Sequence, residues 1–213
     1  MSERYACQDK DERTIGLQIA SAAIRRADLV VMPTDTVYGV AADAFVPEAV
    51  ADLLAAKGRG RAAPPPVLVG SISTLDGIAA DIPDYGRQLV EKFWPGALTI
   101  ICHQQPSLMW DLGETGGTVA VRMPDHDLAL ELLTMTGPLA VSSANLTGQP
   151  PATDCADAQA QLGDSVAVYL DAGPTPGAVP STIVDLTGPT PRVLRPGVLS
   201  LERLRTVVPD LTE

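Results

Sequence analysis

The spacing of apolar and polar positions along the chain predicts helices and strands in mixed succession. Residues 12–27, ERTIGLQIASAAIRRA, place apolar side chains at helical spacing, and the short apolar run that follows at 29–33 ends in proline, as a buried strand would. Further helices are predicted at 47–58, 84–94, 127–137, 154–162 and 200–208. Further strands are predicted at 65–70, 97–103, 118–124, 138–141, 166–173, 181–188 and 191–197.

This order of elements predicts an α/β fold with a single domain over residues 1–213. Because the last three strands follow one another without helices, the sheet is expected to be mixed, with helices flanking it. The best linker candidate is the proline-rich segment GPTPGAVP at 173–180, but the strand after it is expected to join the same sheet. No additional C-terminal domain is expected.

Composition changes this picture only by excluding classes of protein. The formal charge of -11 argues against broad contact with a nucleic-acid backbone. The charged amino terminus and the lack of a long apolar run favour a cytoplasmic protein without a membrane segment. Cys7, Cys102 and Cys155 are too scattered for a disulfide framework or a cysteine-rich zinc site, so they are expected to be ordinary thiols.

Polar side chains gather where the predicted strands end. PTDTVYGV at 33–40 brings Thr34, Asp35, Thr36 and Tyr38 to one strand end, where they either close a turn or bind a ligand. KGRGRAAPPP at 57–66 suits a polyanion, because its glycines allow close approach and its cations neutralise phosphate. The same run is also explained as a solvated helix end, and it does not match the P-loop pattern.

Arg122 comes directly after the alternating apolar residues of the predicted strand at 118–124. It suits either a bound anion or a structural ion pair with Asp125 or Asp127. The acidic residues of MPDHD at 123–127 resemble a metal site only loosely, and capping of the next helix explains them more simply.

Two serine-containing segments, SSANLTG at 142–148 and VPSTIVDL at 179–186, complete the set. A Ser-His triad is disfavoured because G-x-S-x-G is missing and only His103 and His126 are available as bases. Together the clusters predict one groove with hydroxyls, an amide and cations but little sign of a catalytic base. Such a groove suits a small polar substrate beside a nucleoside triphosphate, with catalysis by positioning and charge stabilisation.

The motifs PTDTVYGVAADA, KGRGR, FWPGALTII, TVAVRMPDH, SSANLTGQPP, VPSTIVDL and VLRPG resemble, in order and spacing, the YrdC-type family of threonylcarbamoyl-AMP synthases. The resemblance covers roughly residues 15–200, and it implies a twisted α/β sheet with a large concave groove. It also implies an enzyme that condenses L-threonine, bicarbonate or carbon dioxide, and ATP with Mg²⁺ into threonylcarbamoyl-adenylate and pyrophosphate. A separate transferase would then move the threonylcarbamoyl group to an adenosine of tRNA.

Carried over position by position, the resemblance implies two groups of site residues. The groups expected at ATP are Lys57, Arg59, Thr118, Ser143, Asn145 and Arg195, of which Lys57, Arg59, Ser143 and Asn145 are also the expected catalytic residues. The groups expected at threonine are Thr36, Arg122, Ser142 and Ser181. No protein metal ligand is implied, since Mg²⁺ would be carried by the ATP phosphates.

The chain departs from the family pattern in one segment. Many relatives continue the K-x-R pair with a compact segment that ends in histidine near threonine, whereas this chain has an apparent insertion and Gly70 at that position. Two other functions stay open: an RNA-binding module of the same fold, which the acidic charge disfavours, and carbamoyl-adenylate formation from carbamoyl phosphate. Direct binding of tRNA or double-stranded RNA is not expected.

Overall fold

A computed structural model describes residues 2–213 and places eleven strands of that range in one sheet. The strands are β1 (Glu3–Ala6), β2 (Val30–Met32), β3 (Gly39–Asp43), β4 (Val67–Leu68), β5 (Ala79–Ala80), β6 (Leu98–Gln104), β7 (Thr118–Arg122), β8 (Leu139–Ser143), β9 (Val168–Asp171), β10 (Thr182–Asp185) and β11 (Arg192–Arg195). The helices are α1 (Lys10–Arg25), α2 (Pro47–Ala56), α3 (Leu75–Ile78), α4 (Asp84–Phe93), α5 (Asp127–Thr136), α6 (Cys155–Leu162) and α7 (Leu201–Arg205).

The sheet runs in the order β1-β9-β2-β3-β8-β4-β7-β6-β10-β11, and β5 pairs with β6. The sheet contains both parallel pairs, such as β4 with β7, and antiparallel pairs, such as β6 with β7. The predicted α/β class with a mixed sheet is therefore confirmed.

Local sequence signals explain most helix ends. Asp9 caps α1 by accepting from the N–H groups of Asp11 and Glu12, and α2 begins with proline. Ser200 caps α7 in the same way, through the N–H of Arg203. The expected acidic cap of α5 was wrong, because the capping position is His126, whose side chain makes no capping hydrogen bond. Asp127 instead lies in the first turn, where its negative charge interacts favourably with the positive end of the helix dipole.

Alternate residues of the central strands pack against helices on opposite faces of the sheet. Val30 and Met32 of β2 lie in a cluster with α1 and α5, whereas Val31 lies in a cluster with α2 and α6. The strands are thus buried on both faces, as their continuous apolar sequence indicates. No helix within residues 2–213 has the length and apolar character needed to cross a membrane.

The other half of the sheet is covered by helices on one face only. Leu98 and Ile100 of β6 join the large core cluster that includes α4, whereas Thr99 and Ile101, which point the other way, line an open groove. The uncovered faces of β6, β7 and β10 form much of the floor of this groove. The fold therefore provides one concave face on which polar side chains from many motifs can meet.

Candidate functional site

The groove has a volume of about 450 Å³ and is lined by residues from PTDTVYGV, KGRGRAAPPP, TVAVRMP, SSANLTG and VPSTIVDL, but by none from 123–127. Of the ten predicted site residues, those that line it are Thr36, Arg59, Thr118, Arg122, Ser142, Ser143, Asn145, Ser181 and Arg195. Lys57 is the exception among them, because its ammonium group lies behind the wall of the groove.

A wider depression of about 690 Å³ lies elsewhere, between α1, α2 and β9. It contains none of the predicted site residues, and its arginine, Arg26, already pairs with Asp28 at 3.1 Å. The other charged residues of its lining, Glu3, Asp52 and Asp164, are carboxylates, so it has no spare cation for an anionic ligand, and the smaller groove is the better candidate.

Three arginines of the groove give it a positive character within an acidic chain. Arg59 comes from the loop after α2, Arg122 from the end of β7 and Arg195 from the end of β11. Burial lowers the pKa of Arg195, and the charges of Arg122 and Arg59 lower it further. Within residues 2–213, no carboxylate lies within ion-pair distance of Arg59 or Arg195. These two guanidinium groups are therefore free to bind an anion.

Arg122 differs because the protein compensates its charge. Its Nη2 atom donates to Oδ1 of Asp35, its Nη1 atom donates to Oγ1 of Thr36 at 3.0 Å, and its Nε atom donates to the carbonyl oxygen of Gly96 at 3.0 Å. Of the two alternatives left open for Arg122, the structural ion pair has a different partner from those considered, Asp125 and Asp127: Asp125 contributes only its backbone N–H, which donates to Asp35. Closeness in sequence did not identify the ion-pair partner, because the loop after β2 brings Asp35 to the end of β7.

The loop of residues 33–38 both closes a turn and lines the groove, so the two interpretations of PTDTVYGV are compatible. Oγ1 of Thr34 donates to the carbonyl oxygen of Val37 at 2.7 Å and accepts from the N–H of Thr36. Thr36 lines the groove beside Arg122, and its Oγ1 atom accepts from Nη1 of Arg122 and lies 3.0 Å from Oγ1 of Thr34. Tyr38 is anchored by its hydroxyl, which donates to the carbonyl oxygen of Gly173 at 2.6 Å.

The three cations of KGRGR have three different environments. Lys57 ends α2 and is 2% exposed, Arg59 enters the groove and donates to Oγ of Ser142 at 3.3 Å, and Arg61 pairs with Asp111 at 2.8 Å outside it. The interpretation of this run as a solvated helix end therefore describes Arg61 alone.

The ammonium of Lys57 donates to the carbonyl oxygens of Ser143 and Asn145, so it ties the end of α2 to the SSANLTG turn. The backbone adds a second tie, because the N–H of Thr147 donates to the carbonyl oxygen of Lys57 at 2.9 Å. Burial lowers the pKa of the Lys57 ammonium to about 8, and the charge of Arg59 contributes.

Asn145 shapes the same turn from the inside. Its Nδ2 atom donates to the carbonyl oxygens of Leu146 and Gln149 at 2.9 and 2.8 Å, while the residue lines the groove. Both amide hydrogens are therefore occupied, and its remaining capacity is that of an acceptor.

Ser181 is held by two groove residues. Its hydroxyl lies 2.8 Å from that of Thr99, and its carbonyl oxygen accepts from Nη2 of Arg195 at 2.7 Å. Thr99 is a further groove residue, which is not among the predicted site residues. The signal for it is a polar side chain within the otherwise apolar run ALTII, on the strand face opposite Leu98 and Ile100.

Gly70, at the position where relatives carry histidine, does not line the groove. A Cβ atom there would lie 3.2 Å from Cβ of Leu133 and 3.3 Å from the backbone nitrogen of Thr134. The Cβ atom of any side chain at this position would therefore be in tight contact with α5.

Neither histidine forms a triad, since both His103 and His126 lie outside the groove lining. Within residues 2–213, no three acidic, histidine or cysteine side chains come together in a way that would hold a metal ion. The groove thus offers cations, hydroxyls and an amide, which suits anion binding and orientation.

A family model named Sua5_yciO_yrdC, described as telomere recombination, matches residues 22–197 of the chain. A Mycobacterium tuberculosis protein with the provisional name threonylcarbamoyl-AMP synthase is 57% identical over 208 residues, which cover 98% of this chain and 96% of that protein. The threonylcarbamoyl-AMP synthase of Bacillus subtilis is 39% identical over 195 residues, which cover 90% of this chain and 56% of that protein.

Among solved structures, Sua5 of Pyrococcus abyssi in complex with L-threonine superposes with a TM-score of 0.87 at 36% identity. The alignment covers 92% of this chain and 58% of the P. abyssi chain. The chain therefore spans nearly the whole of one relative but little more than half of these other two.

Proposed function

Because this chain belongs to the Sua5/YciO/YrdC family, we propose that it is a threonylcarbamoyl-AMP synthase. The family predicted from the sequence motifs is confirmed, and its named relatives share the proposed activity. The reaction is the condensation of L-threonine, bicarbonate or carbon dioxide, and ATP, with release of pyrophosphate. In class it is a nucleotidyl transfer, since AMP moves from pyrophosphate to a carbamate oxygen.

One observation supports this proposal most directly. A single groove contains two arginines, Arg59 and Arg195, that have no carboxylate partner in the described part of the chain, beside a third, Arg122, that is already paired. The unpaired guanidinium groups suit the phosphates of ATP, and the paired one, surrounded by hydroxyls, suits a small zwitterion such as threonine.

At the nucleotide end, Arg59 would contact the triphosphate and stabilise the charge that develops as pyrophosphate leaves. Lys57 would act on the same phosphates from behind Ser143 and Asn145, through its positive charge and by fixing their turn. Thr118 and Arg195 line the same groove and would hold the remainder of the nucleotide.

At the amino-acid end, Arg122 would donate to the threonine carboxylate while Thr36, Ser142 and Ser181 contact its polar groups. Such a site should discriminate strongly against analogues that lack the hydroxyl, because a buried hydroxyl partner would be left unpaired. Serine, which lacks only a methyl group, should be rejected less well.

The chemical step follows from this placement. The threonine amine adds carbon dioxide and loses a proton to form a carbamate, whose oxygen then attacks the α-phosphate as the bond to pyrophosphate breaks. Within residues 2–213, the groove is lined by no histidine, aspartate or glutamate. Catalysis would therefore come from alignment of the two substrates and from stabilisation of charge by Arg59, rather than from a general base.

Mg²⁺ is proposed to enter with ATP as part of the substrate. The described groove lining supplies neutral oxygens of Ser, Thr and Asn but no carboxylate, which fits an ion held mainly by phosphate oxygens and water. When bound, it would neutralise negative charge on the phosphates.

The product would serve a separate transferase that modifies an adenosine of tRNA, and a cytoplasmic location follows from that role. An RNA-binding module without enzymatic activity is disfavoured by the formal charge of -11. Formation of carbamoyl-adenylate from carbamoyl phosphate is tested by the same assay, because it would not require threonine.

The test is pyrophosphate release from ATP and Mg²⁺, with L-threonine and bicarbonate each included or omitted. Release that requires both substrates would support the proposal. Release without threonine would assign another acceptor, and no release from folded protein under any of these conditions would contradict the proposed activity.

A further inference from the structure

Asp35 follows β2 in the chain, and its carboxylate lies behind the groove rather than in it. One oxygen, Oδ1, accepts from Nη2 of Arg122 and from the backbone N–H of Asp125. The side chains of Arg122 and Asp35 are 7% and 16% exposed, so water screens this pair little. The geometry is that of a fixed, shielded ion pair between two segments 87 residues apart.

The hydrogen bonds of Arg122 leave a defined set of free donors. A guanidinium group has five N–H bonds. Arg122 uses one on Nε for Gly96, one on Nη1 for Thr36 and one on Nη2 for Asp35. One N–H therefore remains on each terminal nitrogen, which matches the two oxygens of a carboxylate.

We propose that Asp35 is a positioning residue, which holds Arg122 in the orientation that directs its free N–H bonds to the carboxylate of a zwitterionic amino acid in this part of the groove. The inference rests on the proposed function and deepens it. Arg59 and Arg195, which lack such a partner among residues 2–213, keep their positive charge for the triphosphate. The groove is therefore divided into a compensated end for the amino acid and an uncompensated end for the nucleotide.

The first test is the Asp35→Asn variant, which preserves the shape of the side chain but removes its charge, so that only a weaker, neutral hydrogen bond holds the Arg122 guanidinium in place. We expect the KM for L-threonine to rise by about tenfold or more, while the KM for ATP stays within about twofold. Calorimetric titration with L-threonine should show the same loss of affinity. Equal changes in both KM values, or an unchanged KM for threonine, would overturn the proposal.

A matched control is Asp171→Asn. Asp171 lies at the end of β9, outside the groove, and forms an ion pair with Arg4 that this substitution removes. This variant should leave both KM values unchanged. In an Arg122→Gln background, Asp35→Asn should cause little further loss of threonine affinity, because Asp35 is inferred to act through Arg122. Additive losses in the double variant would show that Asp35 acts by another route.

The wild-type protein provides a second measurement if Asp35→Asn does not fold. Between about 50 and about 300 mM salt, the KM for threonine should change little, whereas the KM for ATP should rise severalfold, because only the ATP end has uncompensated charge. Equal salt dependence would overturn the inference. Threonine-dependent pyrophosphate release with equal salt dependence contradicts this inference alone, whereas absence of that release contradicts the proposed function.

Discussion

The Nζ atom of Lys57 lies 2.6 Å from the carbonyl oxygen of Asn145, a residue 88 positions later in the chain. Lys57 also donates to the carbonyl oxygen of Ser143, so one ammonium group joins the K-x-R and S-x-N motifs. Among residues 2–213 no carboxylate pairs with this buried charge, and burial of an unpaired charge is costly. Lys57 is thus part of the internal support of the nucleotide end of the groove.

The burial of Lys57 predicts a pH dependence of stability. Its pKa is lowered by burial to about 8, from its usual 10.5 in an unfolded chain. Between these values the unfolded state holds a proton that the folded state has released, so the free energy of unfolding should rise with pH. Relative to Lys57→Met, the wild-type protein should gain up to about 3 kcal/mol across this interval.

Urea unfolding of both proteins, followed by tryptophan fluorescence between about pH 7 and about pH 11, measures this difference. Lys92→Met is the control, since it removes an ammonium that is exposed on α4. A constant difference between wild type and Lys57→Met over the interval would contradict the burial of a charged Lys57.

Much of the fold could be predicted because its strands are apolar runs with clear ends. The helix that presents Lys57 and the strand that presents Arg122 were both predicted, and the structure places them as α2 and β7. β1 was missed because ERYA is a short, largely exposed edge strand without alternation. β3 was missed because its residues, GVAAD, follow directly on a polar loop and carry small side chains that give little periodic signal.

The sequence predicts many of the residues that line the site, but it does not predict the hydrogen bonds and ion pairs that connect them. The motifs left open whether Arg122 binds an anion or forms an ion pair, and they offered only the neighbouring Asp125 and Asp127 as partners. The observed partner, Asp35, lies on a distant segment of the chain. Thr99 was hidden within an apolar run because its role depends on which face of β6 is left uncovered. Long-range packing decides both, and a single sequence does not display it.

The two neighbouring arginines of KGRGR should respond differently to substitution. Arg59 lines the groove without a carboxylate partner within residues 2–213, so Arg59→Ala should lower kcat/KM by about a hundredfold or more while the protein stays folded. Arg61 is exposed and pairs with Asp111 outside the groove, and loss of such a surface pair has little effect. Arg61→Ala should therefore keep kcat/KM within about twofold.

Steady-state pyrophosphate release measures both arginine variants, and circular dichroism checks that they are folded. Near-normal turnover of Arg59→Ala would remove Arg59 from the proposed catalytic residues. An equal loss in Arg61→Ala would show that the whole loop, rather than one guanidinium group, is responsible.

Gly197 allows the chain to pass close to the segment that carries Ser181. A Cβ atom at Gly197 would lie 2.4 Å from the carbonyl oxygen of Pro180 and 2.5 Å from the carbonyl carbon of Ser181. Gly197→Ala must therefore displace backbone, with an expected cost of about 1 to 3 kcal/mol in stability and a raised KM for threonine. Thermal unfolding and steady-state kinetics measure the two effects.

The control for Gly197 is Gly177→Ala in the preceding proline-rich segment, where an added Cβ would meet nothing within 4 Å. This variant should match the wild-type protein in stability and KM. Wild-type behaviour of Gly197→Ala would mean that the VLRPG turn does not hold Ser181 in place.

The hydroxyl groups of Thr99 and Ser181, 2.8 Å apart and both buried, predict that Thr99 orients Ser181 toward threonine. Thr99→Val keeps the shape but removes the hydroxyl, so the KM for threonine should rise by about fivefold, equivalent to about 1 kcal/mol, with little change for ATP. Thr182→Val is the matched control, because it removes a buried hydroxyl that bonds to Leu199 outside the groove lining. It should lower the melting temperature without a selective effect on threonine. Steady-state kinetics with each substrate varied in turn would contradict the role of Thr99 if both variants raised the KM for threonine equally.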